Sequence, residues 1–183
     1  MQRRSIRKFE PKQITDEDLD IVLECGKYAP TGMGSQSPKM VVVQNSELLD
    51  ELRILNTMFW SQEKISHLKS MNASYAITKK PDPFYGAPTA VIVLADMDND
   101  NSVYDASLVM GNLMNAAHAI GLGSCWINRA YEMFNTDAGK EYLKEWGLND
   151  KNWRGVGICI LGYPAGDYPT AKPRKPDYVM KIK

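Results

Sequence analysis

Apolar and polar positions fall in blocks whose period changes along the chain. Leu19, Val22 and Leu23 recur at helical spacing behind Thr15. Thr15 is a hydroxyl cap, Asp18 stands three residues on, and Asp16, Glu17 and Asp18 load the positive end of the dipole. This predicts a helix that ends before Pro30. The segment Lys39–Gln44 holds Met-Val-Val-Val, a β-branched run that predicts a buried strand. Ser46 is the expected cap of a second helix carrying Leu48, Leu49 and Leu52. Pro88 then opens Thr89-Ala-Val-Ile-Val-Leu-Ala95, a second buried strand.

From Tyr104 to Ile120 small and apolar residues occupy nearly every side of a predicted helix. A helix with no solvated face belongs in the centre of a molecule or at a subunit interface. Gly121 fits its C-terminal cap. Ser124–Ile127 reads as a short strand, Asp137–Trp146 as a helix and Gly155–Gly162 as another strand. The tail from Tyr163 carries four prolines and should run extended over the surface. The polar stretch Phe59–Tyr85 reads as a helix plus a mobile excursion. The alternation predicts an α/β or α+β sandwich in one domain spanning 1–183.

Composition narrows the classes. Lys plus Arg and Asp plus Glu both count 22, which argues against a whole-chain grip on nucleic acid or a membrane surface. The three cysteines are scattered, so neither a disulfide framework nor a structural zinc is expected. The basic start lacks the apolar stretch of a secretory signal, and no run approaches membrane-span length. These features point to a cytoplasmic protein.

The usual phosphate cradles, GxGxxG after a strand and GxxxxGK[ST], are missing, and so is HExxH. His67 and His118 are the two histidines; the first reads as solvated, the second as a packing or interface residue. Cys125 reads as a small buried strand residue rather than a nucleophile. The positive signals are two basic ends. Arg3, Arg4 and Arg7 surround Ser5, and Lys172, Arg174 and Lys175 lie in the tail. Arginine forks and a serine hydroxyl suit phosphate oxygens if the ends meet. Otherwise both are solvated chain ends, although Phe9 directly after the first cluster argues for anchoring. Ala29-Pro-Thr-Gly-Met-Gly-Ser-Gln36 is a loop where backbone can approach a flat ligand, or simply a helix-to-strand turn. Trp126, in Gly123-Ser-Cys-Trp-Ile-Asn128, either packs in the core or edges a ligand.

Together with Tyr85-Gly-Ala-Pro-Thr89, Gly162-Tyr-Pro164 and Lys172-Pro-Arg-Lys175, these segments resemble the FMN-dependent nitroreductase family over nearly the whole chain. The resemblance implies an α+β three-layer sandwich with a central, mostly antiparallel sheet, working as an intertwined homodimer with FMN at the subunit interface. It implies NADH or NADPH as reductant, a ping-pong cycle, and a small-molecule acceptor such as a nitroaromatic or a quinone. It matches Arg3, Arg4, Ser5 and Arg7 to residues holding the FMN phosphate and ring edge, and Lys172 and Arg174 to a phosphate-binding pair. Pro30, Thr31, Gly32, Gly34 and Gln36 match a loop reaching the flavin from the other subunit. Trp126, Ile127 and Asn128 match a strand end along the flavin face. No general acid is implied, because the chemistry belongs to the flavin. Reductases of an ene or carbon–halogen bond, or a flavin-binding module without turnover, share the same residues. The chain departs from many relatives in Gly34-Ser-Gln-Ser-Pro38 and in Asn128-Arg129, where some have Glu-Gly; the hydrogen bond near the flavin must then come from another donor.

Overall fold

A computed structural model describes residues 2–61 and 82–182. His67 and most of the Phe59–Tyr85 excursion lie outside the described residues. Helix α1 is Asp16–Lys27, and the Thr15 hydroxyl accepts the Asp18 N–H at 3.1 Å as its cap. Strand β1 is Lys39–Val43 and helix α2 is Ser46–Thr57. The cap of α2 is Asn45 rather than Ser46: its side chain accepts the Leu48 N–H at 2.9 Å, so Ser46 is the first helical residue. Strand β2 is Thr89–Asp96 and helix α3 is Ser102–Ala119.

Gly121, at φ +85°, closes α3. Leu122 donates back to the Ala117 carbonyl at 2.8 Å and Gly121 to that of His118 at 3.2 Å, the paired bonds of a Schellman end. Strand β3 is Gly123–Ile127, helix α4 is Ala130–Phe134, helix α5 is Asp137–Glu145 and strand β4 is Trp153–Gly162. The short α4 has no counterpart in the sequence reading, because five residues are too few to show a period.

The four described strands form one antiparallel sheet in the order β1-β2-β4-β3. Successive side chains of a strand face opposite ways, so each strand feeds two cores. Ala90, Ile92 and Leu94 of β2 pack with Ile158 and Ile160 of β4 against α2 and α4. Val91, Val93 and Ala95 pack with Cys159 and Leu161 against α1 and α3. The result is a three-layer α+β sandwich. β2 is buried throughout, as its run predicts. β1 is not, because it forms one edge of the sheet; only Val43 is fully buried there.

Helix α3 buries Ala106, Val109, Met110 and Leu113 against the sheet. On its far side Tyr104 is 72% and Leu108 47% exposed, beside the exposed Asn115. The tail runs extended and exposed, ending in the apolar Tyr178, Val179, Met180 and Ile182. Among the described residues, no helix is long and apolar enough to cross a membrane.

Candidate functional site

The basic N-terminal segment is ordered. Ile6 donates to the Ser124 carbonyl at 2.9 Å, laying the segment parallel to β3 along its free edge. Phe9 then pairs opposite Pro164, and Ala165 donates to the Lys8 carbonyl at 3.0 Å. Two buried apolar anchors, Ile6 and Phe9, explain why this charged stretch does not fray. In an extended segment alternate residues share a face, so Arg3, Ser5 and Arg7 lie together. All three act on Cys125. Burial pushes its thiol up, while Arg7, a hydrogen bond from Ser5 and Arg3 pull it down; the balance stays above the ordinary value. Cys125 is therefore a protonated, buried thiol and no nucleophile. Among the described residues, no carboxylate pairs with Arg3 or Arg7.

Beyond Cys125 the end of β3 borders a cavity of about 170 Å³. Arg7, Tyr85, Asn56 and Trp60 line it with the run Trp126–Asn128. The Arg7 guanidinium stands 6.0 Å from the centre of the Tyr85 ring. Burial raises the Tyr85 phenol above its usual range against the opposing charge of Arg7, so it remains a neutral donor. Tyr85 has φ +54°, a left-handed conformation that costs about 1–2 kcal/mol for a residue with a Cβ. The Asp82 carboxylate holds that turn by accepting the Phe84 N–H at 2.8 Å and that of Gly86, and Arg53 pairs with Asp82 at 3.2 Å. The Trp126 indole itself packs on the α1/α3 core, while Cys125 and Ile127 face the other layer.

The loop Pro30–Gln36 stands apart from this cavity. It borders a second one of about 140 Å³, with Met40 and Val109. The Thr31 hydroxyl accepts the Gln36 N–H at 3.1 Å, and Asp105 of α3 accepts the Gly32 N–H at 3.0 and 3.1 Å through its two oxygens. Gly34 and Gln36 are solvent-exposed. Lys172 and Arg174 are also exposed, and among the described residues they make no hydrogen bond or ion pair. Within one chain, then, the arginine segment and the β3 end come together; the loop and the tail cations do not join them.

A family model described as the nitroreductase family matches residues 1–163. The chain belongs to the nitroreductase family. A nitroreductase from Bacteroides fragilis, solved with bound FMN, superposes with a TM-score of 0.83 at 30% identity, over 99% of this chain and 95% of that one. A nitroreductase from Desulfitobacterium hafniense, also with FMN, gives a TM-score of 0.84 at 21% identity, over 100% and 95%, and bears on the fold alone. A Haemophilus influenzae protein with the provisional name NAD(P)H nitroreductase is 28% identical over 212 residues, covering 98% of this chain and 92% of that protein.

For a nitroreductase chain, the donor set fits a flavin mononucleotide. The Arg3 and Arg7 guanidinium groups, paired with no carboxylate among the described residues, suit a phosphate or an electron-rich ring edge, and the adjoining cavity is edged by flat groups. Two residues at this cavity, Asn56 and Trp60, were not singled out from sequence as site residues. Asn56 is 1% exposed on a helix whose neighbours are leucines, and a buried amide there was the available signal. Arg129, at φ +80°, entered the sequence analysis only as the residue standing after Asn128 where some relatives have Glu-Gly.

Proposed function

We propose that this nitroreductase is an FMN-dependent oxidoreductase of one domain, residues 1–183, driven by NADH or NADPH. The chemistry supplied at the site is hydride uptake from the nicotinamide and its delivery to an electron-poor acceptor, a nitroaromatic, quinone or similar flat molecule, in alternating half-reactions. The observation that carries this reading is the pair Arg3 and Arg7, uncompensated by any described carboxylate, with Arg7 lining a cavity at the end of β3. The FMN bound in the 30%-identical Bacteroides fragilis structure supports it.

In this reading Arg3, Arg4, Ser5 and Arg7 hold the phosphate and ring edge, joined by Lys172 and Arg174 of the tail. Trp126, Ile127 and Asn128 form the rim along the ring. Pro30, Thr31, Gly32, Gly34 and Gln36 complete the site from a second copy of the chain. Exposed Tyr104 and Leu108 on α3 and the exposed apolar tail end support such a homodimer, since exposed apolar patches are costly on a monomer.

One experiment tests both parts. The protein is reconstituted with FMN and passed over a sizing column with detection at the flavin band near ~450 nm. The expected result is a yellow peak at about twice the chain mass, bleached anaerobically by NADH or NADPH. A yellow monomer refutes the shared site. Colour without bleaching identifies a flavin-binding module without turnover.

A further inference from the structure

Asn56 is a buried polar residue with every hydrogen-bonding group engaged. Its Nδ2 donates to the Asn128 carbonyl at 2.8 Å and to the Met133 Sδ at 3.2 Å. Its Oδ1 accepts the Trp60 indole N–H at 3.2 Å. The orientation of the amide follows from chemistry: an indole only donates and a carbonyl only accepts, so the amide oxygen must face Trp60 and the nitrogen Asn128. One side chain on α2 thus reaches the residue just past β3.

The Asn128 carbonyl belongs to the peptide that also carries the Arg129 N–H. In a planar trans peptide the two point in opposite directions. With the carbonyl drawn to Asn56, the Arg129 N–H is turned away from α2. Asn128 and Arg129 border both the 170 Å³ cavity and a neighbouring space of about 400 Å³. Among the described residues this N–H finds no acceptor. A backbone donor left open by the protein needs water or a ligand. Arg129 holds φ +80°, a conformation arginine rarely adopts, and its carbonyl accepts the Met133 N–H at 2.8 Å from inside α4. The Asn128–Arg129 peptide is therefore held through its carbonyl by Asn56, and the next peptide, Arg129–Ala130, is held by α4.

We propose that Asn56 is a positioning residue: it sets the Asn128–Arg129 peptide so that the Arg129 N–H faces the groove as a neutral donor to the ring edge of a flat heteroaromatic ligand. The ligand part rests on the FMN reading above. Reduction makes a flavin ring richer in electrons, so a donor at its edge favours the reduced form. In this role Asn56 acts through the peptide, by the bond from its Nδ2 to the Asn128 carbonyl.

The test uses the full chain and two variants. Asn56→Asp keeps the shape and the acceptor for Trp60 but cannot donate to the Asn128 carbonyl. Trp60→Phe leaves Asn56 in place and removes the group that orients its amide. Asn56→Asp is expected to lose about tenfold of the preference for reduced over oxidised FMN, a fall of about 30 mV in the two-electron midpoint potential. Trp60→Phe should move it the same way by less. Unchanged potentials in both variants, with lowered melting temperatures, mean a structural role only and overturn the proposal. If Asn56→Asp does not fold, Trp60→Phe carries the same decision.

Amide hydrogen exchange at Arg129 reads the orientation without any ligand. In the FMN-free chain this N–H should exchange as an unprotected amide, and added FMN should slow it. Protection in the FMN-free chain overturns the proposed orientation. A chain that takes up no FMN yet shows an open Arg129 amide refutes the FMN reading and leaves the role of Asn56 standing.

Discussion

The Trp126 indole covers the bare α-carbon of Gly157 on the adjacent strand β4: a Cβ built on Gly157 would lie 2.7 Å from the indole nitrogen. The ring cannot stay where it is beside any larger residue. Gly157→Ala should therefore cost about 1–3 kcal/mol by overpacking. A chain of this size then melts roughly 2–4 °C lower per kcal/mol. Because Trp126 also rims the cavity, FMN affinity should fall as well. Unaltered melting and unaltered affinity would show that the two residues are not in contact.

Asp105 is 4% exposed, and its recorded hydrogen-bond donor is the Gly32 N–H. Asp105→Ala leaves that N–H without an acceptor, at a cost of about 1–3 kcal/mol. Asp105→Asn keeps an acceptor oxygen and should cost less. Urea titration of both variants checks the order. Faster amide exchange confined to residues 31–36 would identify the loop as the part released.

The combined variant Arg3→Ala with Arg174→Ala should weaken FMN binding at least a hundredfold. Each charge-assisted bond is worth about 1.5–3 kcal/mol, and every 1.4 kcal/mol is about tenfold in affinity. Quenching of flavin fluorescence on titration gives the constant directly. A double variant that purifies as yellow as the parent means the two chain ends do not share a phosphate.

Tyr142 donates to the Glu51 carboxylate at 2.6 Å, and that bond, aided by partial burial, pushes its phenol up to about 12. The unfolded value is about 10. A raised value in the folded state means the contribution to stability is complete below pH ~10 and is lost as pH rises through the folded value near 12. Glu51→Gln should bring the phenol down and flatten this alkaline loss. The difference in tyrosinate absorbance between wild type and variant, followed from pH 9 to 13 on the order of tenths of a unit, reports it. Coincident titration curves would exclude the Glu51 bond.

The parts legible in the sequence are those set by neighbours a few residues apart. Thr15 caps α1 because Asp18 is three residues away, and Gly121 ends α3 because its φ must be positive. The run Thr89–Ala95 is apolar on both faces and is buried on both. The same local logic fails where two candidates compete: Asn45 and Ser46 both suit a cap, and only the first backbone residue outside the helix can serve. It also fails for β1, whose valines look the same whether the strand lies at a centre or an edge.

The amino-acid sequence by itself determined the longer described helices, the described strands, the membership of the nitroreductase family and the cluster of arginines near the start. Those rest on short-range spacing and on motifs in order along the chain. Tertiary structure alone decided what meets across long separations. It laid Arg3, Ser5 and Arg7 against Cys125 through a bond from Ile6 to Ser124, and it sent the Trp126 indole to the α1/α3 layer. It carried Asn56 to the Asn128 carbonyl, 72 residues away. The reason is physical: strand order and register choose which distant side chains share a space, and no periodicity along the chain encodes that choice.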